Sequence, residues 1–227
     1  MKVAIMQPTY LPWLGYFDMM ARVDVFVLLD NVQFEKASWQ QRNRIKTSQG
    51  ELMLTIPVRK GPVERLIAET EINLDTRFGA THAKSLQTAY GKAPFGHDYL
   101  PQLTGLVKSG TPLLGAFNES LIRWIADALG ITTQIVRGTD LGATGRRTEL
   151  TVAQCLELGA THYLAAGGSL EYTSREPGFA AHGITVEYHT YPHPEYPQLH
   201  GTFVPYLSAV DAVLNVGGGE ARRLLTT

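Results

Sequence analysis

Residues 1–30, MKVAIMQPTYLPWLGYFDMMARVDVFVLLD, decide how the rest of the chain is read. Val3 to Met6 is too short and too apolar for a solvent-facing edge, and predicts a buried first strand. Pro8 and Pro12 bracket a turn, after which Leu14, Phe17, Met20 and Ala21 recur at helical spacing. A helix therefore begins near Trp13 and runs to about Val23. Val25 to Leu29 predicts a second buried strand, ended by Asp30-Asn31. In such a β-α-β start, the amides of the first helical turn face the space beyond the first strand, where anions settle.

The rhythm breaks over the next residues. LMLTIPV at 52–58 predicts a strand behind the turn Ser48-Gln49-Gly50, pairing antiparallel with Arg42 to Thr47. Helices follow at about Ala80 to Tyr90, Tyr99 to Ser109 and Leu113 to Leu129, the last with Phe117, Leu121, Trp124, Ile125 and Ala128 on one face and Gly130 as its C-cap. Strands are expected at Thr132 to Val136, Thr161 to Ala165 and Thr185 to Thr190, and helices at Glu149 to Leu158 and Leu207 to Leu214. No repeat, low-complexity segment or linker interrupts the run. We expect a Rossmann-like three-layer α/β fold with a mostly parallel sheet, one domain over 1–227, and residues 31–60 inserted as a β-rich hairpin.

Composition bounds the function. A chain of 227 residues, 44% of them hydrophobic, can bury one large core. A formal charge of −1 supplies no global field for nucleic acid or an anionic membrane, so any anion site is local. The single cysteine excludes an intramolecular disulfide, and Cys155 lies in an apolar helical run where a small core residue is the expected role. No basic-plus-apolar leader and no window of ~20 apolar residues is present, which predicts a cytoplasmic protein without a membrane span. Oligomeric state is not legible.

Four groups of residues carry chemistry. The first is the turn, with Gln7, Tyr10, Trp13, Gly15 and Tyr16 as ligand-facing candidates; the bland alternative makes Trp13, Tyr16 and Phe17 ordinary core aromatics. The second is Asp30, Asn31 and Gln33 at the end of the second strand, where a carboxylate binds a ribose hydroxyl, a metal or an amine, or merely closes an Asx turn. The third is SWQQRNRIKT at 38–47: on a strand Arg42, Arg44 and Lys46 share one face, and with Trp39 and Asn43 they could clamp a phosphate. A basic hairpin face is otherwise simply solvated. The fourth is YHTYPHPEYPQLHG at 188–201, a Pro-rich rigid loop in which His193 is the candidate general base and Gln198 a substrate contact. His189, His193 and His200 are spaced too loosely for a metal motif. A further anion nest is expected at Gly167-Gly168-Ser169, with Tyr172, Thr173, Ser174 and Arg175 behind it.

Two resemblances add to this. PTYLPWLGYF is similar in layout to the phosphate-binding turn of nucleotidyltransferases and pantothenate-synthetase-like ligases, with Trp13-Leu14-Gly15-Tyr16 standing where that turn has His-x-Gly-His. Both histidines are absent, so Trp13 and Tyr16 can donate neutral hydrogen bonds but cannot carry charge onto a leaving phosphate. More extensively, QPTYLPWLGYF, DVFVLLDNVQFEKASWQQRNRIKT, AYGKAPF and HPEYPQLHGTFVPYLSAVDAVLNVGG resemble the signatures of the WbqC-like family, in order from Gln7 to Gly218. That resemblance implies a role around activated sugars and surface polysaccharide (O-antigen) synthesis, with transfer of an aminoacyl or other small group. The expected function is a transferase with Asp30 and His193 as catalytic residues and a small-molecule substrate. The expected ligand is a nucleotide such as ATP or a sugar nucleotide, with Mg²⁺ as a candidate companion. The alternative is a non-catalytic nucleotide- or sugar-nucleotide-binding protein.

Overall fold

A computed structural model describes residues 1–167 and 178–226. Five parallel strands, β1 (Lys2–Met6), β2 (Val25–Leu28), β5 (Gln134–Arg137), β6 (His162–Ala166) and β7 (Thr185–His189), form a sheet in the order β5-β2-β1-β6-β7. Val3 pairs with Val25 and Met6 with Leu28, while Lys2 pairs with His162. The chain winds outward from β1 to β2 and β5, then returns to add β6 and β7 on the other side. The order thus reverses between β1 and β6, where α/β sheets open a crevice at their carboxyl ends.

Strand alternation makes the three layers. Val3, Ile5, Val25 and Val27 face a core shared with Val152, Cys155 and Phe179 of α5 (Thr148–Glu157) and α6 (Gly178–Ala181). Ala4, Phe26 and Leu28 face the opposite, larger core, filled from α1 (Leu14–Ala21), α4 (Leu114–Ala128) and α7 (Ala209–Val216), with α2 (Phe78–Tyr90) and α3 (Gly96–Lys108) beyond. Strands covered on both faces read as continuous apolar runs, which is why β1 and β2 stand out in the sequence. Cys155 is fully buried, and burial pushes its thiol up to about 12. Gly130 ends α4 as expected: at φ +63 it donates to Asp127 O while Ile131 donates to Ala126 O, a Schellman closure.

The hairpin is β3 (Arg42–Thr47) with β4 (Gly50–Thr55), joined by Ser48 and Gln49. β4 begins two residues before the expected Leu52 and stops at Thr55: Ile56 N still reaches Gln41 O at 2.7 Å, but the Gln41 amide turns away to Ser38 O, which ends the ladder. Two helices have no counterpart in the sequence reading: the single turn α6, and α8 (Gly218–Arg223), whose opening glycines read as a turn. Among the described residues no helix is long and apolar enough to cross a membrane.

Candidate functional site

The turn after β1 is held from two sides by amides. Asn118 of α4 donates to Pro8 O at 2.9 Å and Gln40 O at 2.7 Å, and Asn43 of β3 donates to Tyr10 O at 3.1 Å and Leu11 O at 2.8 Å. Tyr10 is fully buried, its hydroxyl 2.9 Å from Nδ1 of His82, an imidazole that burial pushes down to about 4. Tyr16 packs on Phe17 and Phe26 and returns its hydroxyl to Gln7 O at 3.3 Å. Tyr10, Tyr16 and Asn43 therefore fix the shape of the turn from inside. Gln7 lies at the carboxyl rim, where its Oε1 accepts from Gln40 Nε2 at 2.9 Å. Trp13 precedes α1, and its indole lies across the first helical turn: a Cβ built on Gly15 would fall inside the ring. Gly15 makes room for the indole.

The three cations of β3 share a face but not a fate. Lys46 is 3% exposed, and its ammonium donates to Gln198 Oε1 at 3.2 Å, Gly201 O at 3.1 Å and Thr202 O at 2.7 Å. All its donors are engaged by the Pro-rich loop. Arg44 pairs with Glu51 at 2.7 Å, donates to Tyr206 O at 3.4 Å and sits 5.8 Å over the ring of the exposed Trp39. Arg42 has no hydrogen-bond or ion-pair partner among the described residues, and its Nε is buried and unpaired. On this face Arg42 is the uncommitted cation.

The Pro-rich stretch 190–208 leaves the end of β7 as a tied strap. At its root His189 Nε2 meets Asp18 Oδ2 at 2.6 Å. The fully buried Asp18 also accepts from Thr226 N and Oγ1 and pairs with Arg22 at 2.9 Å. Burial works to raise the Asp18 carboxyl, but these donors outweigh it and hold it below its usual value. Further ties run from Tyr191 OH to Leu224 O, Tyr196 OH to Asp211 and Leu199 N to Asn215. Gln198 brackets Val204, donating to its carbonyl and accepting from its amide. His200 donates from Nε2 to Ala89 O, so the three histidines of the stretch have three separate partners.

His193 is the exposed chemistry of this strap in every sense but the solvent's. Its Nδ1 is 3.0 Å from Pro194 O, and since a carbonyl only accepts, Nδ1 carries the proton and Nε2 a lone pair. Nε2 is buried with no hydrogen-bond partner among the described residues. The rings of Trp13 (6.2 Å, stacked), Tyr191, Tyr196, Phe203 and Tyr206 (5.0 Å, edge-on) surround it. Burial lowers its pKa, with the Pro194 bond working the other way, so the imidazole is neutral near pH 7.

One continuous set of contacts thus joins Trp39, Arg44, Tyr206, Trp13 and His193. Asp30 stands elsewhere on the rim, 4% exposed, its two oxygens taking the amide and hydroxyl of Thr139 at 2.9 Å each. Burial raises its pKa despite those bonds. No contact joins Asp30 to His193 among the described residues. Gln33 is exposed and donates to Val63 O. Gly167 closes β6, while Gly168, Ser169, Tyr172, Thr173, Ser174 and Arg175 lie outside the described residues. Tyr191, Tyr206 and the Asp18–His189 pair were missed in the sequence; the signal available was the density of aromatics between Tyr188 and Tyr206.

The WbqC-like protein family model matches residues 7–223. A relative from Mycobacterium tuberculosis (strain ATCC 25618 / H37Rv), the uncharacterized protein Rv1507c, is 35% identical over 219 residues, covering 95% of this chain and 94% of its own. No solved structure matches.

Proposed function

The chain belongs to the WbqC-like protein family, and from that premise we propose that it is a group-transfer enzyme of surface-polysaccharide or related sugar metabolism, acting on a nucleotide-linked or otherwise phosphorylated substrate. The observation that carries the reading is the buried, unpaired Nε2 of His193 in a water-poor ring of aromatics, continuous with the guanidinium of Arg44 and flanked along β3 by that of Arg42. A neutral imidazole with a desolvated lone pair takes a proton from an attacking hydroxyl or amine. Arg42 and Arg44 supply positive charge that Trp13 and Tyr16 lack, and a guanidinium fork suits phosphate oxygens. The residues fit a bound phosphate. Among the described residues no three His, Cys, Asp or Glu side chains converge, and each Asp30 oxygen accepts one hydrogen bond from Thr139.

The second reading, a non-catalytic nucleotide- or sugar-nucleotide-binding protein, draws on the indole of Trp13 covering the turn where nucleotidyltransferases keep two histidines. A thermal-shift screen over ATP, sugar nucleotides, acyl donors and amino acids, followed by turnover assays on the stabilising pairs, separates the two, since a ligand raises the melting temperature by mass action whether or not it reacts. His193→Gln should lower turnover ~10²–10⁴-fold with the melting temperature nearly unchanged. Full turnover in that variant removes His193 as base; binding without turnover across the panel selects the binding protein.

A further inference from the structure

We propose that Tyr206 is a hinged cover over His193, displaced when an anion takes the guanidinium of Arg44. The proposal rests on the reading of His193 as the base of the site, because a base whose lone pair is sealed must be uncovered to act.

The seal has one weak side. Of the five rings around His193, four are buried or half-buried, and Tyr206 is both the nearest, at 5.0 Å, and 50% exposed. Its backbone is set apart from its neighbours. Val204 is fixed on both main-chain atoms by Gln198, and two residues after Tyr206 the strap is fixed again, where Ser208 donates to Arg44 O at 3.0 Å and bridges Trp13. Leu207 is buried. Pro205 and Tyr206 lie between Val204 and the buried Leu207, and among the described residues their main chain is met by the 3.4 Å contact from Arg44 Nη2 to Tyr206 O. A hydrogen bond of that length is weak and cheap to lose.

The residue between the anchors is also strained. Tyr206 sits at φ +58, in the left-handed region that a bulky side chain rarely adopts, so the closed position stores energy that opening releases. The same Arg44 that touches the Tyr206 carbonyl has its Nε buried and unpaired, and Arg42 stands two residues along the same strand face with no partner among the described residues. A phosphate or pyrophosphate group is the ligand chemistry that two guanidinium groups on one strand face recognise, and with Glu51 on Arg44 Nη1 an anion taking Nη2 competes directly with the Tyr206 carbonyl. Anion binding and uncovering of the base are thereby coupled through one side chain, so that His193 meets a proton donor only once the charged part of the substrate is in place.

Carbethoxylation by diethyl pyrocarbonate reads the cover without requiring turnover. The unprotonated imidazole nitrogen attacks a carbonyl of the reagent, an N–C bond forms, and the leaving ethyl carbonate breaks down to ethanol and carbon dioxide. Mass spectrometry then gives the rate at each histidine, with the exposed His97 as reference and the buried His82 as the sealed control. A cover closed nine-tenths of the time slows reaction about tenfold. Tyr206→Gly, which removes the ring and the strain together, should raise the His193 rate ~10-fold or more while His97 is unchanged, and Tyr206→Phe should stay slow. Inorganic pyrophosphate should raise the rate in the wild-type protein and have no effect in Arg44→Ala. Equal His193 rates in wild type and Tyr206→Gly overturn the cover. Calorimetry that detects no pyrophosphate binding, or binding with no change in the His193 rate, overturns displacement by an anion. Failure of the base itself shows separately, as full turnover in His193→Gln, and leaves these rates readable.

Discussion

Gly15→Ala should destabilise this protein in a way that depends entirely on Trp13. Alanine is ordinarily the better helix residue by ~0.5–1 kcal/mol, so in α1 the change should help. Here the new methyl group would occupy the indole. If the ring stays, overpacking costs ~1–3 kcal/mol. If it swings away, its contacts with Tyr191, His193 and Tyr206 go with it, at ~0.5–1.5 kcal/mol per ring pair. The protein takes the cheaper route, and after the helical gain a net loss of ~1–2 kcal/mol remains, or ~2–8 °C in melting temperature for a chain of this size. Urea unfolding of wild type, Gly15→Ala, Trp13→Ala and the double variant closes the cycle. In the Trp13→Ala background the sign should reverse, with Gly15→Ala stabilising by ~0.5–1 kcal/mol. An undiminished loss in that background would refute the reasoning, since it would place the need for glycine in the backbone rather than in the indole.

Asp18→Asn should lower stability at pH 7 by ~3 kcal/mol, the range for breaking a buried pair. Because the folded carboxyl lies below its unfolded value, its contribution is present above the usual carboxylate range and is lost as pH falls through the folded value, so acid titrations of unfolding should converge for wild type and variant once the pH is below that folded value. Arg42→Ala should weaken pyrophosphate binding by ~1–3 kcal/mol in calorimetry with little change in melting temperature. Lys46→Met should do the opposite, lowering stability by ~2–4 kcal/mol through three lost strap bonds, since no donor of Lys46 is left for an anion. Cys155 should stay silent to a disulfide reagent until denaturant is added; a thiol that reacts in the native protein contradicts its burial.

The parallel sheet was legible because burial on both faces writes strands as unbroken apolar runs, as in Val25–Leu28. Schellman glycines marked the ends of helices for a local reason, whereas the end of β4 is set by the Gln41 amide turning to Ser38 O, which the local pattern does not show. The shape of the site was less legible, since it depends on contacts across the length of the chain. Alternation put Lys46 on the same face as Arg42, but only the strap about 150 positions later decides that its charge is consumed by carbonyls. Tyr10 and Tyr16 looked like ligand contacts because of their place in the turn; their hydroxyls are turned to His82 and to Gln7 O, partners that no spacing rule connects. The density of aromatics marked the region of Tyr206 but not its role, which lies in what the ties at Val204 and Ser208 leave free.

Between Leu199 and Tyr206 most ties of the strap land on main-chain atoms: the carbonyls of Gly201, Thr202, Val204 and Tyr206 and the amides of Leu199 and Val204. The posts that hold it, Lys46, Arg44 and Asn215, belong to other elements, and within 198–204 the tying side chains are Gln198 and His200. Any residue has a carbonyl to offer. Substitutions at Thr202 or Val204 therefore alter the surface shown to a ligand while leaving the path of the loop intact, which is the arrangement by which antibody frameworks let their loops diversify. The site is built to change its preferences without refolding, and a library randomised at those two positions should yield proteins that melt together but bind apart.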